Sequence, residues 1–372
     1  MNRTPLHDAH AALGAKLVDF AGWEMPIHYS GVVDEYHAVR ARAGLFDVSH
    51  MGRIRVAGPG AVPFLQRVTT NNVAKLAPLE SQYSMVCTPQ GGIKDDIFIY
   101  RLQQDEFLLC VNASNREKIV AWLQEPGGRT SQAELLDCSA DLAQLALQGP
   151  ASTAILMSLD VPGLSTLKPR RCLQATLLGA PALITRTGYT GEVGYELYVP
   201  AAGALPIWNE LLSRGRAAGL KPAGLGARDL LRLDMGYLLY GNDIGEETTP
   251  LEAAAGWVVD FEKGDFIGRS AMKRQEEEGL ARHLVAFELL RKAVPRHGFK
   301  IFADGPAEAK EIGEVTSGNL SPLLQKGIGL GYVPPSYASP GTTIAIDIRG
   351  RAIPALVVKP PFYKRQAMGN GQ

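Results

Sequence analysis

Apolar residues follow two different spacings along the first 279 positions of the chain. A spacing of three to four residues, typical of one helix face, predicts helices over 61–68, 205–212 and 227–235. Alternating or short continuous apolar runs predict strands over 53–56, 83–87, 97–101, 106–111, 142–147, 182–186 and 196–199. This mixture of helices and strands indicates an α+β structure.

Two further helices are predicted from their end signals. The stretch 35–43 is expected to be a short helix, because Gly44 follows it in the position of a C-cap. Ser114 precedes an apolar helical face that includes Ile119 and Leu123, so we expect it to be the N-cap of a helix there.

The pattern changes after the charged stretch 273–279, where we expect a linker helix and a domain boundary. Beyond it come short β runs separated by Gly and Pro turns, at 284–289, 300–303, 314–317, 328–332, 342–348 and 353–358. Residues 348–351 have the composition of a hairpin loop. Residues 280–372 are therefore predicted to form a small antiparallel barrel or sandwich.

Charge and composition narrow the class of protein. Lys plus Arg and Asp plus Glu both number 38, so the net charge is zero. A neutral chain has no overall field to attract nucleic acid, which argues against that class of partner. The N-terminus lacks a signal-peptide pattern, and no stretch approaches the roughly 20 apolar residues of a membrane span. We therefore expect either a cytoplasmic protein or one already stripped of a targeting segment, with no membrane partner.

The four cysteines and seven histidines do not suggest a metal site. Cys87, Cys110, Cys138 and Cys172 form no C-x-x-C pair, and the histidines are scattered along the chain. Unpatterned cysteines in a long chain are typical of a reducing compartment and of buried small side chains. The sequence therefore predicts no metal ion and no disulfide framework.

Residues 90–100 carry the first candidate for chemistry. Gly91 and Gly92 permit a tight turn, and Asp95 and Asp96 then begin an apolar strand. Neighbouring strand residues point to opposite faces, so the two carboxylates are not expected to face one site together. Either one carboxylate lines a cleft while the other is solvated, or the segment is only a polar hairpin turn.

Residues 186–196 carry the second candidate. Gly188, Gly191 and Gly194 would let the backbone approach a ligand closely, but the run is not a dinucleotide-binding fingerprint. Glu196 begins the strand that follows. It is either an exposed strand-end residue or a rigid carboxylate that accepts two parallel N–H bonds, as from the guanidine-like edge of a pterin.

Two basic segments complete the candidates. Arg228 and Arg232 are four residues apart on one predicted helix face, where they either form surface salt bridges or hold a ligand carboxylate. The tail 359–365, which ends with Arg365, is either a frayed terminus or a cationic segment that folds onto a ligand.

Together and in this order, these segments resemble one family, the glycine cleavage T proteins. The resemblance covers essentially the whole chain. It rests on ten blocks, at 4–7 with 20–26, 44–52, 91–96, 147–150, 188–192, 225–229, 240–243, 315–318, 331–334 and 361–362.

The resemblance implies a specific reaction and set of partners. Members of the family take an aminomethyl group from the lipoyl arm of the H protein, release ammonia and pass the carbon to tetrahydrofolate as co-substrate. The lipoylated H protein is thus the implied partner, and the P and L proteins are functionally linked. The implied fold is a three-lobed ring of two α+β lobes and a C-terminal antiparallel β-barrel. Its folate-binding region would span 1–279 (lobe one approximately 1–52 and 140–279, lobe two approximately 53–139) and its barrel 280–372.

The resemblance also implies roles for single residues. The catalytic aspartate of the family matches Asp96, the pterin-binding glutamate matches Glu196, and a folate-binding arginine matches Arg228. A further folate contact near the C-terminus matches Arg365. Folate-contacting segments of the family also include the positions of Tyr83, Asn112, Met51 and Tyr189.

Three related functions are alternatives. Folate-dependent demethylases use the same fold and differ in needing no lipoylated partner. Flavin-linked dimethylglycine and sarcosine oxidising enzymes carry a Rossmann flavin domain, which this chain lacks. Folate-binding iron–sulfur assembly factors carry a reactive cysteine in a Lys-Gly-Cys stretch, where this chain has Lys263-Gly264-Asp265.

Overall fold

A computed structural model describes residues 1–125, 132–303 and 310–365. It divides into two compact units. The first comprises residues 1–188, 192–228 and 257–272, and the second comprises 189–191, 229–256 and 273–372. None of the helices in the described ranges is long and apolar enough to cross a membrane.

The helices within the described ranges are short. They are α1 (His7–Ala12), α2 (Val32–Ala41), α3 (Ala61–Val68), α4 (Arg116–Gln124), α5 (Ser152–Met157), α6 (Ala204–Gly215), α7 (Leu225–Asp234) and α8 (Arg269–Glu278). The predicted helix over 61–68 is confirmed, and its four apolar residues at helical spacing are buried, namely Ala61, Phe64, Leu65 and Val68.

A mixed six-stranded sheet forms the first part of unit one. Its strands are β3 (Ala43–Asp47), β9 (Leu142–Gln148), β10 (Cys172–Leu177), β11 (Ala180–Thr185), β12 (Gly194–Pro200) and β13 (Leu220–Pro222). Their order is β10-β11-β12-β9-β3-β13, and only β3 and β13 run parallel. One face packs against α5 and α6, with Trp208 fully buried in that core. A hairpin of β1 (Lys16–Phe20) and β2 (Trp23–His28) precedes the sheet.

An antiparallel five-stranded sheet forms the second part of unit one. Its strands are β4 (Gly52–Ala57), β5 (Glu80–Cys87), β6 (Ile93–Gln103), β7 (Glu106–Val111) and β8 (Glu134–Asp137). Their order is β5-β6-β7-β4-β8. One face packs on α3 and α4, and this core includes Ile97, Ile99 and Phe107. The opposite face of β6 carries Asp96, Phe98 and Tyr100, because alternate residues of a strand share a face.

The second unit contains a closed antiparallel barrel. Its strands are β14 (His283–Leu289), β15 (Lys300–Ala303), β16 (Glu311–Ser321), β17 (Lys326–Val333), β18 (Thr343–Asp347) and β19 (Ala352–Val358). They close in the order β14-β17-β16-β15-β18-β19. The predicted C-terminal antiparallel barrel and the hairpin loop at 348–351 are confirmed, as is the α+β class of the preceding sheets.

Two local predictions were wrong. Gly44 does not cap a helix, because α2 ends at Ala41 and Gly44 lies within the buried strand β3. A Cβ atom at Gly44 would lie 2.4 Å from Cγ2 of Val39, so glycine is needed here for close packing of helix on strand. Ser114 is not the N-cap of α4 either, since a 3₁₀ turn over Ala113–Asn115 comes first and α4 begins after Asn115.

Candidate active site

The two adjacent carboxylates begin strand β6 and differ in exposure. Asp95 is fully buried, whereas Asp96 is half-buried. Asp95 accepts three N–H bonds: from the backbone of Asn112 at 3.0 Å, from the Asn112 side chain at 2.8 Å and from the Asn115 side chain at 2.6 Å. The fold therefore satisfies a carboxylate that would otherwise be costly to bury.

The pKa of Asp95 reflects competing causes. Two causes raise the pKa of Asp95 to about 7: burial, which is the larger, and the neighbouring charge of Asp96. The N–H donors of Asn112 and Asn115 act in the opposite direction because they favour the ionised form.

Asp96 is held by a phenol and an amide. Its Oδ2 accepts from the Tyr83 hydroxyl at 2.8 Å, and its Oδ1 accepts from Asn112 Nδ2, also at 2.8 Å. The same Nδ2 is therefore bonded to Asp95 and Asp96. The side chains of Asp95 and Asp96 point to opposite faces of β6, as strand alternation predicts. Asp95 is buried rather than solvated, however, and the amide of Asn112 lies within reach of both side chains.

An aromatic surface leads away from Asp96 along the sheet. Tyr83 on β5 pairs with Phe98 on β6, and their ring centroids are 6.0 Å apart. Phe98 stacks on Tyr100 at 5.7 Å, and Tyr100 meets Tyr198 of the six-stranded sheet at 5.5 Å. The exposed ring of Trp257 stacks on Tyr83 at 5.7 Å. A row of rings thus connects Asp96 with strand β12.

Glu196 lies on β12 near the far end of this row and is 8% exposed. Its Oε1 accepts from Gln144 Nε2 at 3.0 Å, and its Oε2 accepts from the Thr187 hydroxyl. Thr187 Oγ1 lies 3.5 Å from the Tyr100 hydroxyl. A carboxylate has about four lone-pair directions, so two bonds leave Glu196 able to accept more.

The phenols around Glu196 show how dry this region is. The pKa of Tyr100 is held well above its usual value, mainly by burial and next by the charge of Glu196. The pKa of Tyr198 is likewise raised, mainly by burial and then by the charges of Cys110, Tyr100 and Glu196. The Tyr198 hydroxyl donates to the Tyr100 hydroxyl at 3.1 Å. Both phenols therefore stay neutral and act as hydrogen-bonding groups.

Met51 lies beside the aromatic row, half-buried against the cluster that includes Phe98, Tyr100 and Tyr198. Its position is fixed by the buried Arg53, which donates to the backbone carbonyls of Met51, Ser139, Ser49 (2.8 Å) and Leu142 (2.6 Å). The guanidinium therefore ties the Met51 loop to the start of β9.

Arg228 lies on α7 and is half-buried. Its charge reaches His50, the neighbour of Met51. Burial lowers the pKa of His50 to about 3, the charges of Arg228 and Arg53 add to this effect, and Asp47 opposes it. His50 is therefore a neutral imidazole in the electrostatic environment of Arg228.

Tyr189 and Arg365 belong to the second unit. The Tyr189 hydroxyl donates to the Leu238 carbonyl, and its ring stacks on Tyr237 with centroids 5.6 Å apart. Arg365 is exposed at the end of the described chain. Six of the predicted site residues, Asp96, Glu196, Arg228, Tyr83, Asn112 and Met51, lie in the first unit.

Sequence analysis overlooked several residues of this region. Tyr100 could have been found, because it shares the face of Asp96 at a spacing of four along a strand. Asn115 and Gln144 carry no such signal, since they lie 20 and 52 residues from the carboxylates that they contact. Thr187 lies nine residues from Glu196, within the run 186–196, and could have been found there. Trp257 was missed because its segment has no periodic pattern.

Metal-binding groups were also sought. In the ranges 1–125, 132–303 and 310–365, no three His, Cys, Asp or Glu side chains are grouped so that they could hold a metal ion. The buried cysteines are unpaired thiols.

Comparison with known proteins agrees with this architecture. The chain matches the family model of the GCVT N-terminal domain over residues 6–263 and that of the glycine cleavage T-protein C-terminal barrel domain over residues 282–364. The aminomethyltransferase of Halothermothrix orenii is 49% identical over 97% of this chain and 100% of that protein. The aminomethyltransferase of Geobacillus kaustophilus is 46% identical over 98% and 99%.

A solved structure extends the comparison to the fold. The crystal structure of glycine cleavage system aminomethyltransferase T from Bartonella henselae matches with a TM-score of 0.90 and 35% identity, covering 98% of this chain and 99% of that one. These similar proteins are aminomethyltransferases, a class of group-transfer enzymes. The chain belongs to the glycine cleavage T-protein family.

Proposed function

We propose that this protein transfers the one-carbon unit of an S-aminomethyl-dihydrolipoyl H protein to tetrahydrofolate. In this reaction the C–S and C–N bonds of the donor break, and bonds from the carbon to folate N5 and N10 form. The two N–H protons of folate are transferred to sulfur and to the departing amine. The products are 5,10-methylenetetrahydrofolate, ammonia and dihydrolipoyl H protein.

One observation supports this proposal most strongly. Two differently held carboxylates, Asp96 and Glu196, lie near the two ends of one row of aromatic rings. A flat heterocycle stacks on such rings. A carboxylate near one end suits its hydrogen-bonding edge, and a carboxylate near the other suits its reacting nitrogens.

We assign Asp96 the catalytic role. It is half-buried and oriented by Tyr83 and Asn112, so it combines access with a fixed geometry. A carboxylate there accepts a proton from the attacking amine or stabilises the cationic carbon that forms as sulfur or ammonia leaves. Asn112 and Tyr83 then set the direction in which its oxygens point.

We assign Glu196 the recognition of the pterin. Its two oxygens are pre-oriented by Gln144 and Thr187, and its surroundings are buried and largely apolar. A charged acceptor that meets two parallel N–H donors in such surroundings gives both affinity and orientation. Met51 and Tyr83 would contact the folate rings.

Arg228 carries the positive charge that suits the glutamate carboxylates of folate. The folate contacts of Arg365 and Tyr189 rest on the family resemblance of their segments alone. The protein would act in the cytoplasm beside the P and L proteins of the system.

The proposal is tested by following methylenetetrahydrofolate and ammonia together. The substrate is H protein loaded with the aminomethyl group, and unloaded H protein is the control. We expect both products in equal amounts, and only with the loaded partner. Folate binding without ammonia release would refute the transfer, and activity with an S-methyl or O-methyl donor alone would identify a demethylase.

A further inference from the structure

Asn112 contacts both carboxylates of the Asp95–Asp96 pair with a single nitrogen atom. Its Nδ2 lies 2.8 Å from Asp95 Oδ1, 2.8 Å from Asp96 Oδ1 and 3.1 Å from the Asp96 backbone oxygen. We propose that Asp95 is a positioning residue, which holds the Asn112 amide so that this amide orients Asp96. This inference deepens the proposed function and rests on it.

The orientation of the amide follows from the chemistry of its neighbours. Side-chain oxygens of both aspartates face it. Those of Asp95 already accept from the Asn112 backbone N–H and from Asn115, and those of Asp96 accept from Tyr83, so both side chains act as acceptors here. The NH₂ group of Asn112 must therefore point toward them, because its oxygen would be repelled there. One N–H is directed to Asp95, which leaves the other for Asp96.

Asp95 is the fixed member of this arrangement. It is fully buried, and it holds Asn112 at two points, the backbone N–H and the side-chain amide. Asn115 binds the same Asp95 oxygen at 2.6 Å. Asn115 is the N-cap residue of α4, yet its side chain makes no cap hydrogen bond. The fold thus uses that side chain to anchor Asp95.

Asp96 is half-buried, and both Tyr83 and Asn112 donate to its side chain. If Asp95 no longer holds the amide, Asn112 can rotate away and Asp96 loses one of these donors. Folate recognition by Glu196 uses neither Asp95 nor Asn115, so we expect the damage to appear in kcat rather than in folate affinity.

The test is a double-mutant cycle on kcat at saturating folate, using Asp95→Asn, Asn112→Ala and the combined variant. We expect Asp95→Asn to lower kcat about 10- to 100-fold, the usual effect of losing a charge-assisted hydrogen bond. If Asp95 acts through Asn112, the combined variant loses about as much as Asn112→Ala alone. Losses that multiply would show that the two residues act independently and would overturn the inference.

Asn115→Ala is the matched control. It removes one amide bond from the same Asp95 oxygen without removing a bond to Asp96. We expect kcat to fall by less than about threefold, although the free energy of unfolding decreases by about 1 kcal/mol. A loss of kcat as large as that of Asp95→Asn would mean that any weakening of this region has the same effect, which contradicts a positioning role.

A second measurement needs neither catalysis nor a variant at position 95. With ¹⁵N-labelled asparagine, Asn112→Ala identifies the Asn112 side-chain signals in the spectrum of the wild-type protein. We expect their exchange with water to be at least about tenfold slower than that of the exposed Asn209. Fast exchange in the wild-type protein would overturn the inference. Absence of ammonia release by the wild-type protein would instead remove the proposed function and leave this result standing.

Discussion

The surroundings of Asp96 and Glu196 differ although both carboxylates lie along one aromatic row. Asp96 is half-buried and adjacent to the second carboxylate Asp95, with which it shares an amide donor. Glu196 is 8% exposed and is bonded to the neutral donors Gln144 and Thr187. The difference suits chemistry near one end of the row and recognition near the other.

The largest effect is expected from Asp96→Asn. Removing the carboxylate removes proton acceptance and charge stabilisation, so kcat should fall about 10²- to 10⁴-fold. The amide keeps the shape of the side chain, so folate affinity should change by less than about threefold. Rapid-quench measurement of methylenetetrahydrofolate, with folate binding measured separately, checks both values.

Asp105→Asn is the matched control for this variant. Asp105 is exposed in the turn between β6 and β7, and the same substitution there leaves the site untouched. Its kcat should equal that of the wild-type protein. An Asp96→Asn variant that retains more than about a tenth of wild-type kcat would contradict the catalytic assignment.

The next largest effect is expected from Glu196→Gln, which should weaken folate binding strongly and lower kcat only slightly. Loss of a buried charged acceptor should weaken folate binding about 10- to 100-fold, because each such bond contributes about 1.5–3 kcal/mol. At saturating folate, kcat should fall much less. Titration calorimetry with folate checks this, and the exposed Glu134→Gln is the control. Unchanged affinity would remove Glu196 from the binding site.

A smaller effect is expected from Tyr83→Phe. The substitution deletes the hydroxyl that donates to Asp96 but keeps the ring that packs on Phe98 and Trp257. We expect about a tenfold loss in kcat and an unchanged folate affinity, since only a charge-assisted hydrogen bond is lost. If folate affinity falls while kcat is retained, the Tyr83 hydroxyl serves folate binding. That result would contradict its assignment to the catalytic role of Asp96.

The smallest effect concerns stability and pH. The pKa of Asp95 is raised to about 7 by burial and by Asp96, above its ordinary value of 3.8. The folded state therefore binds more protons than the unfolded state between about pH 4 and 7, and this residue contributes less stability as pH rises through that window. Asp95→Asn lacks this term, so the Tm of the wild-type protein minus that of the variant should decrease from pH 4 to pH 7. In Asp105→Asn the Tm difference should not follow this trend. A Tm difference between the wild-type protein and Asp95→Asn that grows from pH 4 to pH 7 would contradict a raised pKa of Asp95.

Elements whose apolar pattern agrees with their final packing could be predicted from the sequence. Helix α3 and the six barrel strands are of this kind, because each has one face in its own core. Gly44 misled the prediction because its small size serves strand-to-helix packing rather than a helix end. The start of α4 was misplaced because Asn115 uses its side chain for Asp95.

The candidate site divides in a similar way. Asp96 and Glu196 were predicted from their motifs and from resemblance, because each stands in a recognisable run of residues. The donors that orient them come from other strands and turns, so only long-range pairing reveals Gln144 and Asn115. Nothing in the sequence indicated that Asp95 would be buried or that one amide would reach both aspartates, because that amide comes from a different part of the chain.

The most direct test of the account is a single turnover of loaded H protein by Asp96→Asn and Glu196→Gln, each with a measured amount of bound folate. We predict that folate-bound Glu196→Gln forms methylenetetrahydrofolate at nearly the wild-type rate, while folate-bound Asp96→Asn forms it at least about 100-fold more slowly. Equal rates in the two folate-bound variants would contradict the division of catalysis and recognition between the two carboxylates.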